Sequence, residues 1–125
     1  MPDVDQAFVD YLDTFPPLVP LHGGRVGTRL AAGSLPSVRV ARIGGTQPWP
    51  WEALPEYQVE WWGGSEFEAK TLARAGEAAL WGFHGAVAWV TGVALPVSML
   101  WSPDETSGRA RVISQVQYRV NPEES

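Results

Sequence analysis

Apolar residues recur at helical spacing over the first segment of the chain. Val4, Ala7, Phe8, Tyr11, Leu12 and Phe15 fall on one stripe with aspartates opposite, which predicts an amphipathic helix over "DVDQAFVDYLDTF". Asp3 followed by Gln6 reads as a capping box, and Pro16-Pro17 ends the helix. Residues 18–34 are rich in glycine and proline, with a short extended piece around Val26 to Leu30. "PSVRVARIGG" alternates β-branched residues with arginines and reads as a strand. In "EYQVEWW", Tyr57, Val59 and Trp61 share one face and Gln58 and Glu60 the other, which predicts a second strand. Together they form a hairpin with an unusually long looped tip, where Trp49 and Trp51 alternate with prolines.

A second helix is predicted over "GGSEFEAKTLARAGEAALWGFHG", capped by Ser65 and Glu68 and stopped by Gly82 or Gly85. Phe67, Thr71, Leu72, Ala75, Ala79 and Phe83 lie along one side, lean enough to pack closely on a sheet. From Val87 to Trp101 every odd residue except Thr91 is apolar, a β pattern in which Gly92 and Pro96 imply a bulge or an edge position. "SPDETSG" is a polar turn, and "RARVISQVQYRV" is the last strand, with Val112, Val116, Tyr118 and Val120 inward. The order α-β-β-α-β-β predicts an α+β fold, with two helices packed on one face of an antiparallel four-stranded sheet. Residues 1–125 read as one domain without repeats or linkers, frayed at residues 1–2 and in the tail 121–125, "NPEES".

Composition narrows the function classes. Charged residues make up 18% of the chain, below the ~25% usual for soluble domains, which points to surface committed to contacts. Cysteine is absent, excluding disulfides, thiolate metal sites and cysteine nucleophiles. No apolar run approaches the ~20 residues of a membrane helix, and the acidic start "MPDVDQAFVD" differs from a signal peptide. The expectation is a soluble protein made in a cytoplasm. A net charge of −5 argues against nucleic acid as the main partner.

The charges are segregated. Asp3, Asp5, Asp10 and Asp13 open the chain; Arg25, Arg29, Arg39 and Arg42 follow without an acid; Glu52, Glu56, Glu60, Glu66 and Glu68 come next. One reading is solvated faces. The other is a basic face meeting an acidic face of a neighbouring copy, although Arg39 and Glu60 are equally placed to pair across the hairpin of one chain.

Sites for covalent chemistry are sparse. His22 and His84 sit beside glycines in what read as separate loops, with no carboxylate at ligand spacing. "GGSEF" lacks the second glycine of a nucleophile elbow, and "HGGRVG" lacks the spacing of a phosphate loop. The expectation is a protein that is not an enzyme and needs no metal or cofactor. Trp61, Trp81, Trp89 and Trp101 read as core or half-buried sheet residues. Trp49 and Trp51 differ, because flanking prolines lower the entropy cost of presenting aromatic rings to a partner. Glu52 belongs to the same candidate interface.

Along residues 3 to 120 the chain resembles the tail terminator (tail completion) family of long-tailed bacteriophages. The likeness rests on the helix "VDQAFVDYL", the strand "LPSVRVARIGG", the strand-to-helix segment "YQVEWWGGSEFEAKTLARAGEAAL" and the closing "WSPDETSGRARVISQVQYRV". The Trp-Pro tip and the apolar "VALPVSMLW" run depart from the family pattern. The resemblance implies a small α+β subunit of a homo-hexameric ring at the head-proximal end of the virion tail. Such a ring ends polymerisation of the major tail tube protein and meets the connector or stopper protein of the capsid neck, with DNA passing through its lumen. It implies assembly in the host cytoplasm and no membrane partner. The alternatives are another neck protein, such as a head completion protein or stopper, and a small Trp-rich carbohydrate-binding module.

Overall fold

The computed structural model describes residues 4–28, 35–49 and 52–121, with the backbone alone for 46–49. Helix α1 (Val4–Thr14) buries Val4, Phe8 and Leu12, the i, i+4, i+8 spacing that keeps side chains on one face. The chain then makes one helical turn, α2 (Val19–His22), closed by Gly23 in the left-handed region at φ 56°, where a glycine carries no Cβ penalty. Strand β1 (Val26–Gly27) follows. Strands β2 (Ser37–Trp49) and β3 (Glu52–Gly63) form the long hairpin. Helix α3 (Glu66–Ala86) crosses back over the sheet before β4 (Val90–Trp101) and β5 (Ala110–Val120) complete it.

The sheet corrects the expected architecture. The class is α+β, but the sheet has five strands in the order β1-β2-β3-β5-β4, and it is mixed rather than antiparallel. Strand β1 runs parallel to β2, with Val26 opposite Val38 and Gly27 opposite Arg39, while the other neighbours are antiparallel. With α2 included, the described residues hold three helices, so the α-β-β-α-β-β order is overturned as well. The cause is length: two paired residues are too few to show alternation, and their pairing depends on β2. The Val38 amide reaches the Arg25 carbonyl at 2.9 Å, which fixes that edge.

The hairpin tip is corrected too. Ladder pairing continues from Ser37–Trp62 to Trp49–Glu52, so the segment expected to loop out is mostly strand. The register shifts fall at Ile43, between Arg42 and Gly44, and between Thr46 and Trp49, the stretch that holds Pro48, where an unpaired residue is tolerated. Gly45 has φ 124°, and a Cβ there would lie 2.5 Å from the Leu54 carbonyl oxygen.

Both long helices pack on one face. Phe8 is the meeting point, with ring centroids 4.9 Å from Tyr57, 5.2 Å from Phe83 and 5.3 Å from Tyr118. Tyr118 donates its buried hydroxyl to the Leu80 carbonyl at 2.7 Å, and burial pushes its ionisation far up. Helix α3 starts as its sequence indicates: Ser65 Oγ accepts from the Glu68 amide at 3.2 Å, and the Glu68 carboxylate accepts from the Gly64 amide at 2.7 Å. It runs through Gly82 and Gly85 to Ala86, past both expected stops, because packing outweighs a glycine's helix cost of ~1 kcal/mol. Its buried line includes Ala69, Leu72, Ala73, Gly76, Leu80 and Phe83. Phe67, expected on that side, is instead 76% exposed.

Gly76 sets how close α3 comes. A Cβ built there would sit 2.1 Å from the Trp61 ring, an overlap that forces helix and strand apart. Gly85 has open space instead. Gly76→Ala is expected to destabilise the fold by about 2 kcal/mol or more through overpacking, whereas Gly85→Ala is expected to be neutral or to stabilise by up to ~1 kcal/mol. Denaturant midpoints of the two variants measured against the parent check this.

Candidate interaction surface

With α1 and α3 on one face, the other face of the sheet carries no helix among the described residues. A polar cluster occupies its centre. Glu60 is 5% exposed; one carboxylate oxygen accepts from Arg39 Nη1 at 2.9 Å and from Gln58 Nε2 at 3.1 Å. The other oxygen accepts from the Trp62 indole at 3.2 Å. Arg111 covers that indole with its guanidinium, 5.3 Å from the ring centroid, and donates through Nε to the Ser102 carbonyl at 2.8 Å. Alternation in β3 puts Glu60 and Trp62 on this face and Trp61 on the helix side. Both Glu60 oxygens and the Trp62 indole have partners, which holds this part of the face rigid, while the buried Ser37 Oγ beside them has none.

The candidate interface residues are distributed unevenly over this frame. Arg39 and Glu60 are opposite each other in the β2–β3 register and pair within one chain, the intramolecular option left open by sequence. Arg42 pairs with Asp5 of α1 at 3.3 Å, and Tyr57 donates its hydroxyl to the same carboxylate. Arg25 is partly buried and donates through Nε to the Pro36 carbonyl at 2.6 Å. Glu52 lies 3.7 Å from Arg119, and Glu56 is half-buried in β3. Trp49 is the last residue of β2 and its side chain lies outside the described part, as do Trp51 and Arg29. The structure thus ties Arg39, Arg42 and Glu60 into contacts within one chain, while Arg25 is held by the Pro36 carbonyl.

Other positions depart from the sequence reading. Trp81 stands on the outer side of α3, 47% exposed, rather than in the core or sheet. Trp101 is 39% exposed at the end of β4, with Lys70 Nζ 5.5 Å from its ring centroid. His22, taken for a surface loop residue, is fully buried at the end of α2. Its Nδ1 accepts from the Gly24 amide at 2.9 Å, and its Nε2 lies 3.1 Å from the Leu12 carbonyl. With Nδ1 accepting from Gly24 and Nε2–H donating to Leu12, the ring joins α1 to the turn before β1. His84 lies in the last turn of α3, not in a loop.

A groove of about 410 Å³ opens between α2, Pro36 and the first turns of α3, lined by Pro20, Leu21, Arg25, Phe67, Thr71 and Leu72 among others. Sequence reasoning missed it because Phe67 is an apolar residue on the outward side of its helix. Its own signal was weak, since residues two apart on a helix face nearly opposite ways and the core line includes Ala69. Across the sheet, the turn after β4 is ordered by Asp104, whose carboxylate accepts from Ser107 Oγ at 2.6 Å and from the Ser107 amide at 3.1 Å. These bonds hold its carboxyl below the ordinary 3.8. Among the described residues no group of three or more His, Cys, Asp or Glu could hold a metal ion.

Removing Arg39 alone strands a nearly buried carboxylate. Arg39→Met is expected to cost about 1–3 kcal/mol, less than a fully buried pair because Arg39 is a third exposed. The double variant Arg39→Met/Glu60→Met is expected to recover part of that loss, as read by urea unfolding in a double-mutant cycle. For Asp104 the folded value is depressed, so its stabilisation is present above the unfolded value of 3.8 and lost as pH falls through the lower folded one. Its carboxyl resonance is therefore expected to titrate with a midpoint below 3.8. No protein-family model and no curated protein sequence matches the chain, so a functional reading rests on these residues.

Proposed function

We propose that this protein is a structural subunit of a long-tailed phage that joins copies of itself head to tail into a ring on the tail tube. The ring ends tube polymerisation and gives the capsid neck a surface to meet. One observation carries the reading: large apolar side chains are exposed at opposite edges of the same sheet. Ile43 is 45% exposed on β2, beyond the short cover of β1. Leu100 and Trp101 are 51% and 39% exposed on β4, the far edge strand. A head-to-tail contact needs two different faces on each subunit, and closes into a ring when the rotation between copies divides a full turn. The resemblance of the sequence to tail terminators supplies the biological setting.

The hairpin end carrying Trp49 and Trp51 is assigned to contact with the tube or neck. A ring stacked on a tube keeps its outer ends free, and β2 and β3 extend to that end of the sheet. Aromatic anchors of ~150–250 Å² each supply a large part of a small interface. Intramolecular pairing of Arg39 with Glu60 removes that pair from the contact between copies, which leaves apolar burial as the main attraction.

Electron microscopy of the purified protein, alone and mixed with tail tubes, tests the reading. Rings that cap the tubes at one end are expected. The double variant Trp49→Ser/Trp51→Ser is expected to fold with a melting point within a few degrees of the parent and to lose capping of tubes. A protein that leaves tube growth unchanged, or that binds glycans on a screening array, overturns the proposal.

A further inference from the structure

The two edges differ in shape as well as in composition. At the end of the sheet where β3 leaves for α3, the β4 edge presents a corner: Leu100 and Trp101, followed by the acidic turn with Asp104 and Glu105. At the same end, beside the β1 edge, lies the groove of about 410 Å³. Both features touch the first turns of α3. Lys70 reaches over Trp101, while Phe67, Glu68 and Thr71 line the groove. They therefore lie at the same level along the strands and flank the same helix start. Four inter-strand spacings, roughly 19 Å, separate the edge strands at their two sides.

We infer that the Leu100–Trp101 corner of one copy seats in the groove of the next. The inference rests on the ring reading and names the contact that builds it. Size agrees: the groove is on the scale of sites that enclose a small ligand, with room for an indole and the residue beside it. Chemistry agrees as well. Pro20, Leu21, Phe67 and Leu72 offer an apolar lining, and Phe67, 76% exposed in one copy, gains cover. Charge is complementary at one wall, where Arg25 lies with a guanidinium whose Nε is held by the Pro36 carbonyl; Glu68, which also lines the groove, has its carboxylate engaged by the Gly64 amide. The turn following Trp101 brings Asp104, kept anionic by its bonds to Ser107, and the exposed Glu105. A corner and a groove at one level on opposite edges relate neighbours by a rotation about an axis roughly along the strands. That is the operation a closed ring requires.

The protein has no cysteine, so single introduced cysteines report the contact cleanly. Pro103→Cys marks the corner, Pro20→Cys one wall of the groove and Thr71→Cys the other, with Ala78→Cys on the outer side of α3 as control. Each variant is first checked for the melting point of the parent. Mild oxidation of a mixture of Pro103→Cys with Pro20→Cys, or with Thr71→Cys, is expected to give a disulfide heterodimer at least fivefold above the mixture with Ala78→Cys. The two groove positions are independent, so either folded variant decides the matter. In support, Trp101→Ser is expected to weaken self-association at least tenfold in sedimentation. Heterodimer no more abundant than the control overturns the inference. Microscopy of the same samples separates the two ideas. Rings without the heterodimer leave the ring reading standing and discard this contact. The heterodimer in open chains without rings keeps the contact and discards the ring.

Discussion

One indole holds the sheet to its helix. Trp61 on β3 fills the space left by the missing side chain of Gly76 on α3, and its Nε1–H donates to Ser114 Oγ on β5 at 2.9 Å. Ser114 in turn donates to the Ser98 carbonyl on β4 at 2.6 Å. A helix and three strands are thus joined through a single fully buried residue. The ring supplies apolar area and the N–H supplies direction, a combination no aliphatic residue has. With α3 fixed at this height, Tyr118 can meet Phe8 and Phe83 edge to face, and α1 closes against them. Gly82 repeats the device on a smaller scale, since a Cβ there would lie 2.6 Å from the Tyr11 hydroxyl.

The opposite face of the sheet is governed by electrostatics rather than area. Glu60 is nearly buried with two cationic or amide donors on one oxygen and an indole N–H on the other. A carboxylate held this way has little left to offer an outside partner. The same holds for Arg111, which is spent on the Trp62 ring and the Ser102 carbonyl. The clustering of charge along the sequence therefore resolves, over its middle, into contacts within the chain. Charges near the turn after β4 and beside the α2 groove remain outward, as do Asp10, Arg74 and Arg119.

How far the sequence could be read depended on the range of the interaction concerned. Helix α1 and the start of α3 follow from local periodicity and capping, so Val4, Phe8, Leu12 and Ser65 are where their spacing places them. Gly92 and Pro96 likewise marked β4 as an irregular edge, and it is one. Strand β1 shows in the sequence only as an extended piece, because its partner Val38 is supplied by another segment. The hairpin tip reads as loop by composition, although pairing with β3 carries it as far as Trp49. His22 escaped for a similar reason: its burial is produced by Leu12 and Gly24 folding around it. The groove beside Phe67 was the least legible feature, since three separate segments build its walls.

Strand β4 slips register three times against β5, near Val90, Ala94 and Val97. Such an edge cannot offer a long straight row of amides and carbonyls to a stranger. Sheet-to-sheet growth without limit, the hazard of any self-associating β protein, is thereby blocked at that side. In the ring proposed above, copies meeting at this edge would do so through side chains, whose shapes fix an angle as well as an attraction. The kinks in one strand would then set how many copies fit before the first meets the last.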